Sequence, residues 1–329
     1  MALSLRRGTS LAALLVILVI ALVAGIAVGT VPLAPLTVLG ALAHPHGTSE
    51  ADIIVWALRL PRVLIAALVG GTLAVVGAML QGMLRNPLGD PGLTGGSAGA
   101  AFAIAVAIVL GVPAPLFAAI AFCAALASTM VVAVLARSGS GLSTGKLILA
   151  GIAIGSLFGA GTTLIIMRTP NPNTALAVLS WLGGSLVGHG WSDLGWAALY
   201  SLLGAIVAAA AIPGLNALRL GEQRARSVGV DIARTRWIVL IASALLTAAA
   251  VSVSGVIGFI GLIVPHAVRA LCGSDVRWSI PACLPAGATI VIVADIIARI
   301  NGELPIGVLV AFIGVPTFLF IAFRQKALA

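Results

Sequence analysis

Apolar runs of roughly membrane-crossing length recur along almost the whole of this sequence, and no other feature restricts its fold so severely. They lie near residues 10–30, 61–83, 93–111, 114–136, 144–167, 191–211, 237–254, 257–270, 279–298 and 305–323, bounded by glycine, proline or charge. A helix needs about 20 apolar residues to cross about 30 Å of hydrocarbon. Ten such runs in 329 residues leave no room for a large soluble domain. The expectation is one all-α, polytopic membrane domain covering 1–329, with about ten transmembrane helices. The runs near 93–111 and 257–270 are short and glycine-rich, and a shorter stretch, 174–187, follows "TPNPN" and reads as a half-helix.

Composition agrees. Charged residues are 8% and hydrophobic residues 61% of the chain, whereas a soluble domain is about 25% charged. The N-terminus begins like a signal peptide, but its apolar run is too long for a signal core and reads as a retained first span. The net charge of +9 raises nucleic-acid binding as an alternative. The basic residues sit between spans, however, which points to the positive-inside rule and away from nucleic acid. With both termini on the cytoplasmic side, Arg6, Arg7, Arg85, Arg137, Lys146, Arg219, Arg224, Arg226, Arg234, Arg236, Arg269, Arg277, Arg324 and Lys326 fall inside. Only Arg59, Arg62, Arg168 and Arg299 fall outside. The bias fixes an orientation and makes the four outer arginines unusual.

The densest charge lies in 219–236, "RLGEQRARSVGVDIARTR", with seven of the chain's 27 charged side chains, five of them arginines. Residues 222–228 fit two helical turns stopped by Gly229 in a left-handed conformation. Asp231 then caps a second short helix leading into the next span. Two short helices at an angle make a shaped basic knob; a plain positive-inside loop is the alternative.

Other features carry less. "RNPLGDPGLTGGSAGA" (85–100) suits a sharp turn followed by a closely packed helix. "GSGLSTGKL" (139–147) has Ser140 and Leu147 where a phosphate loop needs Gly and Ser or Thr, so no ATP site is expected. Ser143 can cap the helix that follows. His44 and His46 are too sparse for a metal site, His266 reads as a hydrogen-bonded structural histidine, and Cys123, Cys272 and Cys283 read as small core residues. Asp295 is the one carboxylate well within a span, with Arg299 as its i,i+4 partner. Arg168 ends the fifth span, where it could meet a substrate carboxylate or anchor to headgroups.

Taken in order, "RLPR" (59–62), "GAMLQGMLRNPLGDPGLTGGSAGA" (77–100), "LSTGKLILAG" (142–151), "WLGGSL" (181–186), "LGEQRARSVGV" (220–230), "GFIGLIVPHAVR" (258–269), "ADIIAR" (294–299) and "ELPIGV" (303–308) resemble a known family. It is the permease subunit of type II ABC importers for ferric siderophores, haem and vitamin B12, and the resemblance covers most of the chain. It implies a ten-helix subunit, a homodimer with the pathway on its axis, and two separate ATP-binding cassette subunits that hold ATP and Mg. It also implies a periplasmic binding protein that delivers substrate at the bacterial inner membrane. Carried over by motif, 220–236 couples to the ATPase, with Gly221, Glu222, Arg224, Arg226, Gly229 and Asp231 as its candidate residues. Arg59, Arg62 and Arg299 correspond to arginines that dock the binding protein, with snorkelling to headgroups as the alternative, and Ser143 and Thr144 to an inner gate.

Three function classes compete. An import channel without chemistry or cofactor of its own fits best. An ion-coupled secondary transporter would use carboxylates inside the membrane, and one Asp is thin support. An intramembrane enzyme would call for HExxH or for paired carboxylates inside spans, and the sequence has neither. Substrate choice among haem, ferric siderophore and corrinoid rests on no motif; an Arg168 that could meet a propionate leans it towards haem.

Overall fold

The computed structural model describes residues 2–29, 31–45, 47–139 and 141–326; His46 lies outside the described residues. Thirteen helices follow one another: α1 (Ala2–Ala27), α2 (Pro35–Leu42), α3 (Glu50–Leu84), α4 (Gly96–Val109), α5 (Phe117–Leu135), α6 (Thr144–Arg168) and α7 (Pro172–Leu182). They continue as α8 (Trp191–Leu218), α9 (Glu222–Ser227), α10 (Ile232–Ser254), α11 (Ile260–Cys272), α12 (Val276–Ile300) and α13 (Ile306–Lys326). Seven are long and apolar enough to cross a membrane, and α4, α11 and α13 are the shorter apolar ones, which matches the ten expected spans. Among the described residues the one strand pair is β1 (Arg137–Ser138) with β2 (Gly141–Leu142), antiparallel, before α6.

Helix α3 is the centre of the bundle, packed by α8, α10, α11 and α12. Lipid gives helices no hydrophobic reason to associate, so close packing must come from small residues. A Cβ added at Gly70 would lie 2.2 Å from the Gly287 carbonyl oxygen on α12, and one at Gly77 would lie 2.0 Å from that of Gly261 on α11. The glycines let backbones touch where any side chain would force them apart.

Several boundaries differ from the sequence expectation. Helix α3 begins at Glu50 rather than near residue 61, because Ser49 and Asp52 form a capping box and the chain then passes through a π-helical turn, Ile54–Arg59. Helix α2 was not expected at all. The half-helix α7 spans Pro172–Leu182, capped by Asn171, and ends where Gly184 turns left-handed at φ +73°. The chain beyond α7 is then held from the side: the N–H groups of Ile306 and Gly307 donate to the carbonyls of Gly184 and Gly183 at 2.9 Å. Cys272 and Cys283 are buried as expected, but Cys123 is exposed on the outer face of α5.

The candidate transport and coupling sites

Outer and inner ends are named here after the charge bias. At the outer end, Arg59 leaves the π-helical turn and is 5% exposed. Its guanidinium donates to the carbonyls of Ile26, Ala27 and Val31 at the end of α1. Arg299, 4% exposed, donates to Gly25 and Val28 and pairs with Asp295 at 3.0 Å. Arg62 bonds Asp295 at 2.8 Å and Glu303 at 2.6 Å. Asp295 is wholly buried between the two arginines. A buried carboxylate flanked by two guanidiniums is a compensated charge, and it ties α3 to α12.

The i,i+4 pair of Arg299 with Asp295 is as expected, and the expectation that Arg59 and Arg62 stand exposed is corrected. They stand at the outer rim, but packing of α1 across α3 and α12 encloses them and gives each an internal partner. An opening of about 340 Å³, bordered by Arg59, Arg62, Arg299 and Glu303, still leads into the cluster. Arg168, at the outer end of α6, is exposed and has no ion pair among the described residues.

At the inner end, 219–236 folds into one short helix and the first turns of a long one. The expected second short helix is absent as a separate unit: Asp231 accepts from the Arg234 N–H and caps α10, which runs unbroken into the span. Gly221 at φ +104° and Gly229 at φ +80° set the entry to and exit from α9. Ala225 is buried against Leu218 and Ile232, a small core that holds the turn in shape. Arg224, Arg226, Arg234 and Asp231 face outward.

The side chain that joins this knob to the rest was not among the residues chosen from sequence. Arg236 pairs with Glu222 at 2.5 Å and donates to the Leu142 carbonyl at 3.0 Å. Arg137 lies over the Trp237 ring, 5.2 Å from its centroid. Leu142 immediately precedes Ser143, the N-cap residue of α6, and Thr144, its first residue. Ser143 caps by position only: its side chain makes no cap bond, and its backbone N–H donates to Ala136 instead. The knob and the loop before α6 are therefore bolted together. No local spacing could show this, since Arg236 and Leu142 are 94 positions apart.

The loop between α3 and α4 is built as the glycines and prolines implied. Asp90 caps a 3-10 turn, Pro91–Thr94, by accepting from the Gly92 N–H. A Cβ at Gly151 would lie 1.8 Å from the Leu93 carbonyl oxygen, so this loop presses directly on α6. Enclosure pushes the Asp90 carboxyl up to about 6. Among the described residues no group of His, Cys, Asp and Glu could hold a metal ion.

A many-helix membrane bundle with a locked outer charge cluster and a basic inner knob tied to a loop defines a membrane permease. The chain belongs to the FecCD transport family, whose model matches residues 16–324. It is 38% identical over 309 residues to the hemin transport system permease HmuU of Yersinia pestis, covering 91% of this chain and 92% of that one. It is 38% identical over 298 residues to the cobalamin import system permease BtuC of Halobacterium salinarum (89% and 80% covered). With the ferric enterobactin transport system permease FepD of Escherichia coli it shares 36% over 335 residues, 98% of each chain. A solved inward-facing structure described as a metal-chelate type ABC transporter superposes with a TM-score of 0.85 at 30% identity, covering 95% of this chain and 98% of that one.

Proposed function

We propose that this chain is the membrane-spanning subunit of an ATP-driven importer that moves an iron chelate, haem or a ferric siderophore, across the bacterial inner membrane. The bolt from Glu222 through Arg236 to Leu142 carries the reading. It gives the inner knob a rigid connection to the loop that starts α6, so force applied at the knob reaches a span directly. Two separate ATP-binding cassette subunits supply that force, with ATP and Mg held by them, and a periplasmic protein supplies substrate. Relatives named for hemin, ferric enterobactin and cobalamin match at 36–38% identity, so a corrinoid is the second reading.

A homodimer is part of the proposal. Helices α1 and α6 are both largely uncovered by the rest of the chain, but their mean hydropathies are 2.9 and 1.9. The first suits lipid. The second, with Gly159 and Thr163 exposed, suits a second copy and a passage between the two. Arg168 then stands at the outer mouth of that passage, and Ser143 and Thr144 at its inner end. Ion-coupled transport is disfavoured because Asp295 is clamped by two arginines and cannot readily exchange an ion.

The test is vesicle reconstitution. The chain alone is expected to hydrolyse no ATP and to transport nothing, and adding the ATPase and the binding protein is expected to restore both. ATP turnover by the pure chain, or transport by a cross-link-verified monomer, overturns the reading. At the outer rim, an acidic side chain of the binding protein that enters the 340 Å³ opening competes with Glu303 for Arg62. Glu303→Gln is therefore expected to tighten docking, most visibly at low salt, and weaker or unchanged docking removes the rim cluster from that role.

A further inference from the structure

Two cavities outside the pathway lie end to end. The inner one, about 270 Å³, is bordered by Arg85, Arg219 and Arg269 with Asn86, Ser274 and Ser279, and no carboxylate lines it. Arg219 is near enough to Arg269 for the two cations to repel. Arg269 is nonetheless held there by the Gln81 side-chain oxygen, and Gln81 is held by the Gly261 carbonyl at 2.8 Å. Arg85 occupies the pocket with a left-handed backbone at φ +50°, a conformation that costs a non-glycine residue. Asp275, adjacent in sequence to the lining residues Ser274 and Val276, is engaged with Arg7 and Asn216, and Asp90 accepts from the Gly92 N–H. Three converging cations without a counter-charge call for an anion.

The second cavity, about 740 Å³, continues outward from the first along the same faces of α3 and α12, with α8 joining its wall. On α3 the line runs Leu68, Gly71, Val75 and then Ala78, Gly82, Arg85; on α12 both cavities share Ile280. Leu11, Leu15 and Leu18 of α1 close the far side, and nearly all the lining is hydrocarbon. A cationic pocket at the inner water boundary, leading straight into an apolar slot at membrane depth, has the polarity profile of a phospholipid. Free phosphate would leave the slot empty, and a zwitterionic lipid would bring a cation of its own beside the three arginines.

We propose that this slot holds one anionic phospholipid of the inner leaflet, its phosphate among Arg85, Arg219 and Arg269 and an acyl chain in the groove between α1, α3, α8 and α12. Basic pockets between helices on the cytoplasmic side are suited to such headgroups, and charge-assisted bonds from several guanidiniums select for phosphate. Because α8 ends at Leu218 and leads directly into the knob, the lipid braces the root of the coupling segment.

The full-length chain in mild detergent, titrated with phosphatidylglycerol or phosphatidylcholine and read by native mass spectrometry, tests this. Wild type is expected to retain one phosphatidylglycerol per chain and to bind phosphatidylcholine at least about tenfold more weakly. The double variant Arg85→Gln, Arg219→Gln is expected to lose that preference. Ala205→Trp, which obstructs the groove without touching charge, is expected to weaken both lipids while leaving the arginines in place. Each variant is compared at equal elution volume and equal lipid-free melting temperature, which keeps misfolding separate from lost binding. Equal retention of the two lipids by wild type overturns the proposal, as does phosphatidylglycerol binding unchanged in both variants. Full displacement of phosphatidylglycerol by millimolar inorganic phosphate also overturns it, and shows a free-anion site instead.

Discussion

The outer rim and the inner knob both gather arginines, and they use them in opposite ways. At the rim Arg59, Arg62 and Arg299 are enclosed, and every guanidinium has a carboxylate or carbonyl partner within the chain. At the knob Arg224, Arg226 and Arg234 project into solvent with no ion pair among the described residues, and only Arg236 is tied down. The difference lies in what surrounds the charge. A guanidinium at membrane depth must be compensated on the spot, whereas one beyond the headgroups stays hydrated until a partner arrives. The rim charges hold the subunit together, and the knob charges are available to another protein.

Breaking the rim gives the largest expected effect. Asp295→Ala leaves the buried Arg299 without a carboxylate while Arg62 keeps only Glu303, and removing one member of a buried pair costs about 3–5 kcal/mol. The melting temperature in detergent should fall steeply. Glu303→Gln removes a partner whose side chain is 37% exposed, so its loss should stay within about 1 kcal/mol. Equal losses from the two substitutions would show that burial does not govern the cluster.

Next comes Asp90, a carboxyl on the inner side that has been enclosed without a counter-ion. Its folded pKa of about 6 lies above the ordinary 3.8. The folded state therefore holds the proton more tightly than the unfolded state. The cost is absent below about pH 4, grows as pH rises, and is complete above about pH 6. A shift of about 2 units corresponds to at most about 3 kcal/mol. Hydrogen exchange of the loop, corrected for intrinsic rate, should show 86–95 opening more readily at pH 7.5 than at pH 5. Asp90→Asn should flatten that dependence, and a flat wild-type profile would mean that water reaches the carboxyl.

Most of the bundle was legible because membrane spans announce themselves: a lipid-facing helix must be apolar for its whole length, and the ten runs are the ten apolar helices. The knob's Gly229 and Asp231 were legible too, since a left-handed stop and an N-cap are local demands on backbone chemistry. What sequence reading missed is what distance along the chain conceals. Arg62 finds Asp295 233 positions away, and Arg236 finds Leu142 94 positions away. The three outer arginines look exposed when loops are read one at a time. Only the folding of α1 across α3 and α12 encloses them. Helix α2 was hidden because eight residues are too few to stand out as a span.

The knob's own shape is the third test. A Cβ at Gly229 would meet nothing within 4 Å, so any penalty there comes from backbone conformation alone. Gly229→Val should cost about 1–2 kcal/mol locally, leave the spans folded, and uncouple ATP hydrolysis from transport in vesicles. Gly229→Asn, which tolerates the left-handed region, should retain coupling. Wild-type transport per ATP in the valine variant would make the stretch a topology signal only.

The smallest expected effect on stability is also the sharpest on the comparison. Arg224 and Arg226 touch no carboxylate in this chain, and exposed charges of that kind contribute little to folding. Arg224→Gln and Arg226→Gln together should therefore shift the unfolding free energy by no more than about 0.5 kcal/mol. If the two side chains are held in reserve for the ATPase, the same pair should weaken assembly with it, and more at low salt than at high, because exposed charges are screened within about 8–10 Å at 0.1–0.15 M. Arg236→Gln should do the reverse. It breaks the bonds to Glu222 and Leu142, so the ATPase should still assemble while hydrolysis no longer moves the loop before α6. Assembly and transport measured on these variants separate contact from transmission. If Arg236→Gln loses assembly but transports normally for whatever complex remains, the bolt is a docking residue, and the rigid link from knob to the loop before α6 is wrong.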